Sequence, residues 1–220
     1  TGANLTAKFS VGDAVEISGT VNNNKTVAIK ALTSDTITVS ANNFTAETVE
    51  GTVTITRKIP DLDYICESEN RLWGCSSKEQ TIYASALGDP TNFFVYEGLS
   101  TDSYAASCGT DGQFTGAITH LGHPLFFKEN CVHKVFGNYP ANFQIQDTAC
   151  RGVQRGCHKS LAIVNETLFY KARSGICAFD GSLPVEASYA LGSEVYFNAV
   201  GGAINNKYYV SMQDVQEQWH

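Results

Sequence analysis

The 220-residue chain contains no apolar run approaching the ~18–20 residues of a membrane-spanning helix, so no insertion of that kind is expected. It is short of positive charge. Fifteen Lys and Arg stand against 22 Asp and Glu, a net −7 that argues against broad binding of nucleic acid or anionic membrane. No GxGxxG phosphate loop and no GxSxG elbow occurs, and Thr110-Asp111-Gly112 lacks the ligand series of a calcium loop. The opening from Thr1 is polar and shows no secretory leader. Helix signals are nearly absent. The one candidate, residues 185–193, is limited by Gly192.

Seven cysteines (Cys66, Cys75, Cys108, Cys131, Cys150, Cys157 and Cys177) include no CxxC pair. An odd, scattered set reads as reduced, mostly buried small hydrophobes of a reducing compartment, with a structural disulfide or a zinc site as the alternatives. A turn over residues 68–70 would set Cys66 opposite Leu72 rather than Cys75.

What the chain does have is a run of short strand signals over residues 62–97. Asp63-Tyr64-Ile65-Cys66, Arg71-Leu72-Trp73-Gly74-Cys75, Thr81-Ile82-Tyr83-Ala84-Ser85 and Asn92-Phe93-Phe94-Val95-Tyr96 are β-branched or aromatic runs bounded by turn residues. The unit recurs. Its second strand returns at Leu125-Phe126-Phe127-Lys128, Leu168-Phe169-Tyr170-Lys171 and Tyr208-Tyr209-Val210. Aligning Leu72, Leu125, Leu168 and Tyr208 gives spacings of 53, 43 and 40. The third strand returns as Val132-His133-Lys134-Val135-Phe136 and Ile176-Cys177-Ala178-Phe179. Gly88-Asp89-Pro90 returns near Gly137 and Gly181. Between the first two copies, Ser103-Tyr104-Ala105-Ala106-Ser107 reads as an edge strand.

Phe114-Thr115-Gly116-Ala117-Ile118 opens the second copy, matching Ser160-Leu161-Ala162-Ile163-Val164 and Phe197-Asn198-Ala199-Val200. Four strands every 40–50 residues are the pattern of β-propeller blades, sheets that cover their apolar faces by stacking on one another. An all-β sandwich with similar hairpins is the alternative.

Residues 1–58 differ, with no Cys, Trp or Tyr and five short strand signals, the turns falling at Gly12-Asp13, residues 22–25 and Asn42-Asn43-Phe44. They predict a small β-barrel or sandwich, joined by Lys58-Ile59-Pro60 to the repeats. The expected organisation is a small β domain over 1–58. Tandem four-stranded antiparallel blades then follow at about 59–97, 98–147, 148–191 and an incomplete 192–220, a partial propeller-like array. The fourth copy being cut short, the sequence reads as a segment of something longer.

Pro60-Asp61-Leu62-Asp63-Tyr64-Ile65-Cys66, Asn70-Arg71-Leu72-Trp73-Gly74-Cys75, the run from Ser85 to Phe93, Phe114-Thr115-Gly116-Ala117, Leu125-Phe126-Phe127-Lys128-Glu129 and Lys159-Ser160-Leu161 resemble propeller-type structural proteins of tailed bacteriophages and prophages of gut bacteria. The resemblance covers about residues 58–220. It implies a non-enzymatic tail, neck or stabilisation component, made in the bacterial cytoplasm and built into the virion. Its partners would be copies of itself or other phage structural proteins. It brings no catalytic residue, cofactor or metal ligand to carry over.

His120, His123, Cys131, His133, Cys157 and His158 match no zinc spacing, and only Cys131 and His133 share a strand face. Cys157-His158 fails as a nucleophile–base pair, because strand neighbours point apart. Asp61, Asp63 and Glu67, or Asp102 and Asp111, would serve a glycan hydrolase only as a pair about 5–9 Å apart. Arg151, Arg155, Lys159 and Lys171 form a modest basic cluster. The aromatic pairs Phe93-Phe94, Phe126-Phe127, Phe169-Tyr170 and Tyr208-Tyr209 read as core rings alternating across sheets. The second functional reading is a module that binds cell-surface glycan. Exposed rings at Phe93-Phe94 or Tyr208-Tyr209 would favour it.

Overall fold

The computed structural model describes residues 4–39, 44–192 and 194–220. The turn expected at Asn42-Asn43 and the end of the helix candidate at Ser193 lie outside them. The chain is all-β: a small β domain is followed by tandem four-stranded antiparallel blades.

The small domain comprises β1 (Ala14–Ser18), β2 (Lys25–Leu32), β3 (Ile37–Val39) and β4 (Thr54–Arg57), paired in the order β3-β2-β1-β4. Alternation drives it: Val27 and Ile29 of β2 are buried while Ala28 and Lys30 face water. Among the described residues four strands form here, one fewer than expected. The stretch ahead of Gly12 is instead a 3₁₀ turn (Leu5–Ala7), after which Phe9 drops onto Val15, Val27 and Ile29.

Asp13 fastens this domain to the repeats. It is fully buried. Its carboxylate accepts from the Ser10 amide (2.9 Å), Arg57 Nε (2.9 Å) and Asn92 Nδ2 (3.0 Å), and Arg57 Nη1 reaches on to Asp89 (2.9 Å).

The first blade holds β5 (Tyr64–Ser68), β6 (Arg71–Ser76), β7 (Thr81–Ala84) and β8 (Tyr104–Ser107) in sequential order. Its fourth strand is therefore the Tyr104 segment and not Asn92-Phe93-Phe94, which lies in a long connection. Phe93 is buried there as an anchor, and Arg71 ties down the same connection. The Arg71 guanidinium, 2% exposed, donates to the carbonyls of Ser85 (2.7 Å), Ser100 (2.7 Å) and Asp102 (2.5 Å), pinning the connection to the blade.

The second blade is β9 (Phe114–His120), β10 (His123–Lys128), β11 (Cys131–Phe136) and β12 (Gln144–Ala149). The third is β13 (Ala162–Val164), β14 (Thr167–Lys171), β15 (Ile176–Phe179) and β16 (Val185–Glu186). Strand β16 and a 3₁₀ turn (Tyr189–Leu191) replace the helix candidate. The fourth has two strands among the described residues, β17 (Phe197–Ile204) and β18 (Lys207–Gln213). The opening strands lie innermost, β5 against β9 and β13 against β17.

Each blade begins with the same device. Its first two strands are joined by two residues, both at positive φ: Glu69-Asn70 (51°, 58°), Leu121-Gly122 (49°, 76°), Asn165-Glu166 (47°, 68°) and Asn205-Asn206 (50°, 60°). Such turns match the right-handed twist of the flanking strands. Their first residues fall 52, 44 and 40 apart, which aligns Trp73 with Leu125, Phe169 and Tyr209. The sequence alignment is thus one residue out in the second copy, and a one-residue slip exchanges the two faces of a strand.

The corrected register gives the packing. Trp73 and Cys75 face the second blade with Phe114, Phe126 and Val135. Leu125 and Phe127 face the third with Leu168 and Tyr170. Phe169 stacks on Tyr208 of the fourth (5.2 Å between centroids, 17° between planes). Close approach needs small residues: Gly74 lies under Leu62 and Gly116 under Leu161. The same turn sets the Cys66 register, opposite Trp73, with Cys75 opposite Tyr64. All seven cysteines are free.

Candidate functional site

The histidines and cysteines singled out in the sequence are dispersed. His120 bonds the Glu166 carbonyl and leans on Phe179. His123 Nδ1 meets the Val135 carbonyl. His133 bridges Thr110 Oγ1 (2.9 Å) and the Phe126 carbonyl, and burial holds its pKa below the usual histidine value. Cys157 Sγ accepts from the Ala199 amide, while the His158 ring packs on Tyr64. Among the described residues no three His, Cys, Asp or Glu come together as a metal site. Burial raises the pKa of every cysteine, that of Cys66 to about 12 and those of Cys108, Cys150 and Cys177 to about 11. None is poised as a thiolate at neutral pH.

The carboxylates serve their own turns. Asp63 accepts from the Ser77 amide and Glu67 from the Asn70 amide. Asp102 accepts from the amides of Glu97, Gly98 and Leu99 at 2.5, 2.7 and 3.0 Å. The basic cluster also comes apart. Arg151 pairs with Glu186 (2.9 Å). Lys171 is inside the protein, its Nζ held by Gln154 Oε1 (2.8 Å) and the Ala172 carbonyl (2.5 Å). Lys128 is equally buried, donating to Gln80 Oε1 and the Thr110 carbonyl (both 2.6 Å) over the Phe114 ring. The sequence put Lys171 in a basic cluster and gave Lys128 no role, because an apolar strand ending in Lys looks the same whether that Lys snorkels or is buried between blades.

Two surface features remain. One is a cleft of about 400 Å³ between the long connection of the first blade and the β11–β12 connection. Tyr96, Leu99, Asp102 and Tyr139 are among its walls. Both tyrosines and Leu99 are exposed. Asp102 is its one carboxylate, and that group is turned to the loop amides, so the two-carboxylate arrangement of a glycoside hydrolase is not formed there.

The other is the outer side of the fourth blade. Cross-strand partners share a face, so Val200 with Ser211, Gly202 with Tyr209 and Ile204 with Lys207 line one side. The equivalents of Tyr209 in the first two blades, Trp73 and Leu125, are 2% and 0% exposed; Tyr209 is 54% exposed, Val200 45% and Trp219, bridged to Gln213, 52%. Of the rings whose exposure bears on glycan binding, Phe93 is buried, Phe94 and Tyr208 are half-buried and Tyr209 alone of the four stands out.

The β18 edge is open as well. Met212 donates to the His220 carbonyl (3.1 Å) and accepts from the His220 amide (2.9 Å), and Asp214 donates to Gln218 (2.9 Å). These bonds fix which backbone groups point away from β17. By alternation, the amides and carbonyls of Tyr208 and Val210 point the same way, and no strand of the described residues meets them.

No protein-family model matches the chain, and no curated protein matches it. Among solved structures, a catalytically inactive variant of virginiamycin B lyase from Staphylococcus aureus, with quinupristin, is similar. It is 11% identical over 100% of this chain and 72% of that one, with a TM-score of 0.45.

Proposed function

We propose that this chain is a non-enzymatic structural component of a tailed bacteriophage or prophage, a tail or neck part that acts as an assembly scaffold. The observation that supports assembly is the apolar outer face of the fourth blade, where Phe197, Val200, Tyr209 and Trp219 stand exposed at positions of the kind the earlier blades bury. The phage setting is supported by the motif resemblance between Pro60 and Leu161. The mechanism is shape: stacked blades give a stiff body, and the uncovered face seats a neighbouring sheet, from another copy, another structural protein or the rest of a longer chain. The second reading is glycan recognition in the cleft with Tyr96 and Tyr139, whose exposed rings suit stacking on sugar faces.

Light scattering over a concentration range tests the first reading. Molar mass should rise with concentration for the native chain and stay at one copy for Val200→Asp, which puts a charge on the open face. A single-copy mass for both, at every concentration, removes self-assembly through this face and makes glycan binding the reading to pursue.

A further inference from the structure

Resting on the glycan reading of the cleft, we propose that its ligand is an uncharged, hydroxyl-rich sugar that supplies most of the hydrogen-bond donors itself. Most donors of the walls are already committed. The Gly98 and Leu99 amides donate to the Asp102 carboxylate (2.7 and 3.0 Å). The Asp102 amide donates to the Leu99 carbonyl (3.2 Å) and the Ser103 amide to the Val95 carbonyl (3.0 Å). Across the cleft the Tyr139 amide donates to Asn142 Oδ1 (3.1 Å), and Pro140 has no N–H. Two hydroxyls are spent as well, Tyr96 on the Phe93 carbonyl (3.1 Å) and Ser103 on the Asn92 carbonyl (3.0 Å). Among the described residues, the amides of Tyr96, Ser100 and Ala141 and the hydroxyls of Ser100 and Tyr139 are the donors left on these walls. Hydroxyl and carbonyl oxygens keep lone pairs after such bonds, so acceptors outlast donors here. A carbonyl-rich ligand, such as a proline-rich peptide, would leave its own acceptors unmet. A sugar brings a donor on each hydroxyl.

Charge gives the second constraint. Asp102 is the one ionised side chain of the walls, and no Lys, Arg or His lines them among the described residues. Its carboxylate is taken by loop amides, and the buried Arg71 guanidinium lies behind it on the Asp102 carbonyl. These two charges offset each other. An ionised ligand would lose hydration in a mainly apolar cleft and gain no counter-charge. The exposed rings of Tyr96 and Tyr139 have electronegative faces that suit the C–H face of a pyranose. Both walls are fixed in advance, one by Arg71 and the other by Asn142, whose Oδ1 gathers the Asn138 and Tyr139 amides (3.0 and 3.1 Å). Binding therefore orders little of the loops. The volume of about 400 Å³ falls in the range of small-molecule sites, about 300–1,000 Å³.

The probes are cellobiose, lactose and maltose, titrated into the ¹⁵N-labelled chain and followed by amide chemical shifts. Each is compared with its fully O-methylated form, which keeps the rings and acceptors and removes every hydroxyl donor. Each is also compared with the form whose non-reducing sugar is oxidised to the uronic acid. Saturable shifts over residues 96–103 and 138–142 are expected from at least one neutral disaccharide. The O-methylated form and the uronic acid should each bind about tenfold more weakly or worse. Tyr139→Ala should weaken the neutral sugar by a similar factor, while Tyr139→Phe, which keeps the ring face, should retain it. Equal or tighter binding of the O-methylated form or of the uronic acid overturns the proposal and leaves the glycan reading standing. Saturation of the same residues by N-acetylated hexaproline, with no shift from any sugar, overturns both. Absence of saturable shifts from every sugar form removes the glycan reading, and this inference with it.

Discussion

Arg71→Met should free the connection between β7 and β8 without unfolding the blades. The methionine keeps most of the aliphatic stem and removes the guanidinium, with its three hydrogen bonds to the carbonyls of Ser85, Ser100 and Asp102. Bonds from a charged donor contribute about 1.5–3 kcal/mol each, net of the bonds to water they replace. Against this stands the cost of holding a cation away from water, several kcal/mol, the same burial that lowers the Arg71 pKa. Truncation also leaves three carbonyls without a donor, each worth about 1–3 kcal/mol if it stays buried. The residues of 97–101 are exposed, so the cheaper response is for that segment to turn its carbonyls to water. We therefore expect a local loss of about 3 kcal/mol, which is roughly a hundredfold faster amide exchange over residues 97–103 at about 1.4 kcal/mol per decade. Exchange in β9 to β11 should be unchanged. Hydrogen exchange read by mass spectrometry decides it. Unchanged protection at 97–103, or uniform loss across all blades, would refute the account of Arg71 as a local clamp.

Two further outcomes follow from burial. The cysteine pKa values are raised in the fold, so the neutral thiol is favoured there. The stabilisation is complete below the unfolded value near 9 and is lost as pH climbs through 11 to 12. Tyr64 and Tyr104, raised by the same cause, act with the same sign. The urea midpoint should fall between pH 8.5 and pH 10.5, and a flat profile would contradict it. Gly152→Ala would drive a β-carbon into the Lys128 carbonyl oxygen and against the Cys131 carbonyl, a clash with backbone on both sides. It should cost about 3 kcal/mol and lower the melting temperature by roughly 6–12 °C, measured by calorimetry. A melting temperature equal to that of the native chain would show that the loop relaxes freely.

The repeats were legible because period-2 alternation and turn residues are local signals, and β6, β10, β14 and β18 lie where that pattern puts them. The register of the second copy was not. Leu121 sits at φ 49°, a conformation disfavoured for leucine and held by the blade around it, so nothing in the sequence marks it as a turn residue. The first blade misled for a different reason. Asn92-Phe93-Phe94 has strand composition but is spent anchoring a connection, and Phe93 is buried without pairing. The candidate surface was half visible. Tyr209 was picked out as a ring whose exposure matters, but the free edge of β18 depends on long-range pairing that no local pattern carries.

The hairpin turns that open the blades have a consequence for how such a chain can diversify. All four consist of two residues in left-handed conformation, whereas the connections between third and fourth strands run to 19, 7 and 5 residues in the first three blades. An added residue at the short turns would break strand pairing, while length at the long connections is tolerated. Antiparallel order puts both kinds of connection on the same rim, so new specificity can be grafted onto the long connections while the short turns beside them stay fixed as the ruler.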